Sequence, residues 1–261
     1  MIIVSANQNP LILSIETATR AGSIVVTRGE TQLAARTGAA SVSHSSHLLQ
    51  HVESALEEAG AALHDVDFFA AAVGPGSFTG LRIGLATVKA FAATLGRQCV
   101  GVQTLHAVAR GAGESDRTLA LLPAGRGEVY AQLLAVSGDG DVRPLAAPAN
   151  LSPRKLLEKF GKEPILKWAG EGASLHAEAI KEQAQAEGVS FVEGVPNDEP
   201  EKSLERRWVL ATSSEILAAD VAGLALLRIR AGEAVAPQQL QAVYVRPSDA
   251  ELNEQWQERK H

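Results

Sequence analysis

The chain opens with three short apolar or alternating runs, at 11–17 (LILSIET), 22–28 (GSIVVTR) and 32–37 (QLAART), divided by glycine and polar turns. Runs of this length and pattern predict a three-stranded antiparallel meander, with the first strand central. Over 43–60, Leu48, Leu49, Val52, Ala55, Leu56 and Ala59 recur at helical spacing behind a serine and before a glycine, which predicts one amphipathic helix. A buried strand follows at 67–73 (DFFAAAV), then a sharp turn at 74–76, a helix over 77–96 and another strand at 98–104. The first hundred residues therefore read βββ-α-β-α-β, with parallel crossovers in the later part.

The second half repeats this logic. Strands are expected at 118–123 and 128–136, joined through Ala124-Gly125-Arg126-Gly127. Ser152-Pro153 caps and starts a helix running to about residue 160. A strand at 165–169 enters the turn Gly170-Glu171-Gly172, and a helix is expected from 174 to about 187. The acidic, lysine-containing stretch 194–207 (GVPNDEPEKSLERR) reads as a solvated linker, and 213–230 as a long, mostly apolar helix. Strands followed by helices, twice, predict an α/β protein of two related lobes. The first lobe is expected over 1–107 and a smaller second one over 108–252, with a polar tail at 253–261.

Composition narrows the function classes. Of 261 residues, 46% are hydrophobic and 21% charged, the balance of a globular protein. The formal net charge of -6 removes the basic field that would hold a phosphate backbone unaided, so any role on a nucleic acid is expected to be shared and indirect. Cys99 is the single cysteine, which excludes a disulfide within the chain, and its apolar run predicts a buried structural thiol. The first ten residues lack the pattern of a secretory signal and no stretch approaches a membrane span, so a cytoplasmic location without membrane contact is expected.

The segment 73–84 (VGPGSFTGLRIG) carries the densest pattern. Gly74-Pro75-Gly76 turns a strand into a helix, Ser77 or Thr79 can cap the free amides, and Gly80 and Gly84 keep one face flat so that a backbone can come close. Leu81, Ile83, Leu85, Val88, Phe91, Ala92 and Leu95 fall nearly all round this helix, with Arg82 and Lys89 its only charges, so one sheet cannot cover it. The helix over 43–60 has the same demand, and the pair makes a ready half of a four-helix bundle with an obligate-type apolar interface. Packing of both helices on their own lobe is the alternative.

The segment 73–84 resembles the signature of the TsaB family. In sequence order the resemblance extends to LSIETAT at 13–19, HSSHLL at 44–49, GRGEVY ending at Tyr130, AGEGA at 169–173 and VYVRP at 243–247. It implies the actin-like (ribonuclease-H-like) fold, two lobes each with a mixed sheet flanked by helices. It further implies a non-catalytic partner subunit of TsaD. With the ATPase TsaE, that pair transfers threonylcarbamoyl from threonylcarbamoyl-AMP to N6 of the adenosine next to the anticodon in tRNA. The expected docking residues are Leu48, Val52, Ser77, Phe78, Thr79, Gly80, Leu81, Arg82 and Leu85, which face TsaD or, without it, a second copy of the chain.

No catalytic residue, metal or resident cofactor is expected. In actin-like ATPases the first hairpin carries an acidic residue that organises metal and phosphates. Glu16 stands there, followed by Thr17 and Thr19, and Gly170 and Gly172 would let a nucleotide approach the backbone. Weak nucleotide binding without hydrolysis is the expectation, and a capped strand turn the competing one. His47 and His51, one turn apart, have metal-ligand spacing, but they lack the glutamate of H-E-x-x-H and read as solvated helix residues. The histidine pair of TsaD follows the strand after its glycine turn, where only His106 stands here. Glu128 and Tyr130 read as structural or interface residues. Two other readings stay open: an ATP-dependent transferase using Glu16, Thr17 and residues 170–172, and a metal-dependent hydrolase using His47 and His51.

Overall fold

The computed structural model describes residues 9–38, 44–194 and 206–245. The opening meander forms as β1 (Leu11–Glu16), β2 (Ser23–Arg28) and β3 (Thr31–Thr37), followed by α1 (His44–Glu58), β4 (Phe68–Gly74), α2 (Phe78–Leu95) and β5 (Gln98–Gln103). These strands make one sheet in the order β3-β2-β1-β4-β5, antiparallel through the meander and parallel from β1 to β4 to β5, with β1 central. Then come α3 (Thr104–Gly111), β6 (Ser115–Gly125), β7 (Glu128–Val136), β8 (Val142–Pro144), β9 (Ala149–Leu151), α4 (Pro153–Phe160) and β10 (Ile165–Ala169). The chain continues through α5 (Glu171–Leu175), α6 (Ala177–Ala186), β11 (Ser190–Glu193), β12 (Arg207–Leu210) and α7 (Leu217–Arg230). The second sheet runs β11-β12-β10-β6-β7-β8, with β9 also on β7.

The two sheets repeat one plan. A hairpin-linked antiparallel pair is extended on one side by parallel strands that arrive through helical crossovers: β1 with β4 and β5, then β6 with β10 and β12. Three apolar clusters hold the layers. One side of the first sheet packs on α1 and α2 through Leu13, Ile15, Phe69, Val52, Leu85 and Val88. The second sheet packs on α4, α5 and α6 around Trp168 and Trp208, whose rings meet edge to face with centroids 5.1 Å apart. Between the sheets lies a third cluster in which α3 and α7 present Leu105, Val108, Leu217, Val221 and Leu224 to both. α7 follows the second sheet in sequence, yet it packs against β1, β2, β4 and β5 of the first. This two-lobed mixed-sheet arrangement is the actin-like fold.

Several boundaries differ from those expected. α3 stands where the sequence pattern gave no helix of its own; it is only two turns long, and Thr104 to Ala109 are all buried in it. The helix expected over 174–187 is broken at His176, whose backbone is not helical (φ -111°, ψ 19°). α5 lies against β6 through Gly172, while α6 turns to bury Ile180 and Ala184. α7 starts at Leu217, not at 213. Its free Ala218 N–H is capped from afar by Ser23 Oγ of β2, at 2.9 Å, a partner that local sequence does not reveal. Of the expected linker, Arg207 opens β12, and Gly194 donates its N–H to Leu210 O. Residues 195–205 and the tail 253–261 lie outside the described residues.

Candidate functional site

The turn from β4 into α2 shows why the glycine signature exists. Ser77 Oγ accepts the Gly80 N–H at 3.2 Å, the N-cap expected of it, and the Ser77 N–H donates to Ala18 O at 2.7 Å. Gly76, Gly80 and Gly84 line a groove in which the backbone of Thr17 and Ala18 lies. A methyl group at Gly80 would overlap Thr17 O, and one at Gly84 would overlap Thr17 Oγ1. Thr17 Oγ1 in turn donates to Gly80 O at 2.7 Å, riveting the first hairpin to α2. Gly76, Gly80 and Gly84 of the signature are thus used by contacts inside the lobe.

The residues expected to touch nucleotide are engaged in the same way. Glu16 is buried, and its carboxylate accepts the N–H and the hydroxyl of Thr19, both at 2.7 Å, so it closes its own turn. Thr17 is taken by Gly80, as described. Gly170 (φ 91°) faces the carbonyl of Leu121, and a methyl group on Gly172 would stand 3.0 Å from Leu121, so β6 fills the space that these glycines open. A cleft does lie between the lobes, lined by Thr19, Ala21, Val108, Leu122, Gly170, Glu171, Leu217 and the run Thr212, Ser213 and Ser214. Its volume of about 200 Å³ falls short of the roughly 300–1,000 Å³ of small-molecule sites, and its lining brings an acid and no cation to meet a phosphate. Thr19 and Gly170 reach this cleft; Glu16, Thr17 and Gly172 do not line it. The hydroxyls at 212–214 escaped the sequence reading, which placed them in or just before a helix.

His47 and His51 lie on α1 with rings stacked 6.2 Å apart, and His47 Nδ1 bonds Gln50 Oε1 at 2.9 Å. Among the described residues no group of three potential ligands gathers. His106 is buried in α3 away from that pair. Burial first, and the Arg228 charge second, push its imidazole down to about 4. Glu128 accepts from Asn150 Nδ2 at 2.7 Å, tying β7 to β9, and Tyr130 packs against the cluster between the sheets. The Cys99 thiol is buried in β5, and burial pushes it up to about 11.

The expected docking residues divide sharply. Leu48, Val52 and Leu85 belong to the core beneath α1 and α2, Leu81 to the cluster between the sheets, and Gly80 to the groove around Thr17. These five are therefore corrected from docking surface to core: the lobe's own sheet already uses the apolar stripe that suggested an interface. Ser77, Phe78, Thr79 and Arg82 reach the surface. Part of the remaining apolar surface of α2 is covered by the chain itself. The segment after α7 returns along β5, where Val235 and Cys99 exchange two backbone bonds of 2.8 Å, and along β4, where the Val243 N–H donates to Val73 O at 2.7 Å. It ends the described chain near α2, with Tyr244 against Phe78. What α2 leaves exposed is mostly small residues, Thr79, Ala86, Ala90, Ala93 and Thr94, with Arg82 among them and Lys89 half-buried. On neighbouring α1, Leu49 is 63% exposed. Against the expectation that no stretch approaches a membrane span, α2 is long and apolar enough for one by length and composition; a third of it is buried and it packs on β4.

Two lobes, each a mixed sheet flanked by helices, define a protein of the actin-like fold class. The family model for TsaD, tRNA N6-adenosine threonylcarbamoyltransferase, matches residues 34–198, more than half of the chain. The tRNA threonylcarbamoyladenosine biosynthesis protein TsaB of Escherichia coli (strain K12) is 36% identical over 122 residues, 46% of this chain and 52% of that protein. This chain thus spans about half the length of that relative. The protein of the same description from Bacillus subtilis (strain 168) is 28% identical over 228 residues, 86% of this chain and 96% of that one. A crystal structure from Pseudomonas aeruginosa, described as an uncharacterized protein with similarity to peptidase YEAZ, superposes with a TM-score of 0.70 at 26% identity, covering 91% of this chain and all of that one. The chain belongs to the TsaD-type family, in its TsaB/YeaZ group.

Proposed function

We propose that this chain is a non-catalytic partner subunit of TsaD. It would support, with TsaD and TsaE, the transfer of threonylcarbamoyl from threonylcarbamoyl-AMP to N6 of the adenosine next to the anticodon. Docking uses the outward faces of α1 and α2, and a second copy of the chain takes the same face when TsaD is absent. The chain meets tRNA only through its partners and works in the cytoplasm. The observation that carries this reading is the contrast between the two candidate sites. Glu16, Thr17, Gly80 and Gly84 are spent on internal packing, and the cleft is small and without a cation in its lining. The exposed positions of α2, by contrast, are mostly small residues that let a second helix approach closely.

The test is size-exclusion chromatography with light scattering on the chain mixed with TsaD. Wild type should elute as a complex. Ala86→Glu, which places a charge on an exposed position of α2, should remain folded and stay apart from TsaD. Failure of wild type to bind TsaD refutes the reading. ATP turnover by the purified chain would favour the transferase instead.

A further inference from the structure

Arg82 stands one helical turn after Phe78 on α2, and its guanidinium carbon lies 3.9 Å from the centroid of the Phe78 ring. That ring packs in turn on Tyr244, with centroids 5.3 Å apart and planes tilted by 40°. Tyr244 comes from the segment that returns after α7 and is 47% exposed. The three side chains thus form a surface stack of two distant pieces of chain. Arg82 has no hydrogen bond or ion pair with a described residue, although Glu53 and Glu57 are exposed on neighbouring α1. Stacking occupies one face of the guanidinium and leaves its in-plane donors free, the fork that fits a carboxylate bidentately. It also restricts a side chain that would otherwise lose much freedom on binding.

Thr79 before Arg82 and Ala86, Ala90 and Ala93 after it carry no charge; Lys89, two turns on, is the helix's other cation and is half-buried, so Arg82 is the exposed charge on this face. A helix laid along it would take Arg82 out of water, and a desolvated cation without an anion is strongly unfavourable. We infer that Arg82 is the specificity-determining residue of the docking face, selecting a partner helix that presents an aspartate or glutamate opposite it. Phe78 and Tyr244 are positioning residues that hold the guanidinium ready. The inference rests on the docking reading above and names the partner's chemistry: a carboxylate on TsaD, not a nucleic-acid phosphate and not a second copy.

Titration calorimetry of the full chain against TsaD tests it, with wild type, Arg82→Lys, Arg82→Ala, Tyr244→Ala and Ala86→Glu, at low and high salt. Arg82→Ala should weaken binding on the order of 30-fold or more, as expected when one partner of a desolvated charge pair is removed. Arg82→Lys keeps the charge but loses the fork, and should fall between. Tyr244→Ala should weaken binding by roughly 3- to 10-fold, the loss of one positioning aromatic. Arg82→Glu should abolish binding, and reversing the matching acid of TsaD to lysine should restore it. If Arg82→Ala binds TsaD within twofold of wild type while Ala86→Glu does not bind, the docking face stands and the carboxylate inference falls. An Arg82 effect confined to self-association also overturns it. No binding by wild type removes the docking reading and this inference together.

Discussion

The close packing of α2 on the first hairpin can be tested by a double-mutant cycle at Gly84 and Thr17. In a free helix interior, Gly→Ala stabilises by about 1 kcal/mol. Here the added methyl meets Thr17 Oγ1, so either it overpacks the contact, at about 1–3 kcal/mol, or Thr17 rotates and forfeits its 2.7 Å bond to Gly80 O, at about 1 kcal/mol. Gly84→Ala should therefore cost about 0–2 kcal/mol net in the wild-type background. With Thr17→Ala the obstructing oxygen is gone and the nearest remaining hairpin atom, the Thr17 Cβ, is 3.4 Å away, an ordinary contact. In that background Gly84→Ala should be neutral or stabilising by up to about 1 kcal/mol, an interaction energy near 2 kcal/mol. Gly80→Ala is the control, since its methyl meets the backbone oxygen of Thr17, which Thr17→Ala does not remove. Urea unfolding followed by far-UV circular dichroism reads each corner of the cycle. Additivity within about 0.5 kcal/mol, or full tolerance of Gly80→Ala, would refute the view that the signature glycines exist for internal packing.

Other outcomes follow from burial and charge. Leu85→Glu buries a charge in the first lobe's core and should cost more than about 3 kcal/mol, whereas Ala86→Glu, next in sequence but exposed, should stay within about 0.5 kcal/mol by the same urea measurement. The folded pKa of His106 lies below its unfolded value of 6.5, so its contribution is complete above pH 6.5 and is lost as pH falls through about 4, by at most about 3 kcal/mol. His106→Leu should flatten that acid limb. Asp220 runs the other way: burial raises it to about 6, against Ser214 and Arg110, so stability declines as pH rises from about 3.8 to 6, and Asp220→Asn should stabilise most above pH 6. Cys99, buried with its thiol pushed up to about 11, should resist alkylation at pH 8 until the chain unfolds; prompt labelling of the native protein would contradict its placement.

The first lobe was legible because its elements are local. The meander, α1, β4, α2 and β5 each announce themselves by period and punctuation, and Ser77 and Gly96 cap α2 as residue type suggests. The second lobe was legible in its hairpin and in the Ser152-Pro153 start of α4, but β8, β9, β11 and β12 are too short or too mixed to carry a period. The site misled for a related reason. Periodicity marks Leu48, Val52 and Leu85 as apolar but does not say which surface they meet, and the sheet beneath claims them before any partner can. The return of residues 235–244 over β5 and α2 depends on contacts more than a hundred residues apart, such as Val235 with Cys99, and no local pattern encodes it. The cleft hydroxyls at 212–214 appear only once the N-terminus of α7 is fixed by Ser23.

The most direct test of the docking account is a reconstituted modification assay with TsaD, TsaE, threonylcarbamoyl-AMP, ATP and tRNA, in which threonylcarbamoyladenosine is quantified with this chain, without it, and with Ala86→Glu in its place. The account predicts product with wild type, little or none when the chain is omitted or replaced by Ala86→Glu, and none from this chain acting without TsaD. Full product in its absence, or product made by this chain alone, would contradict it.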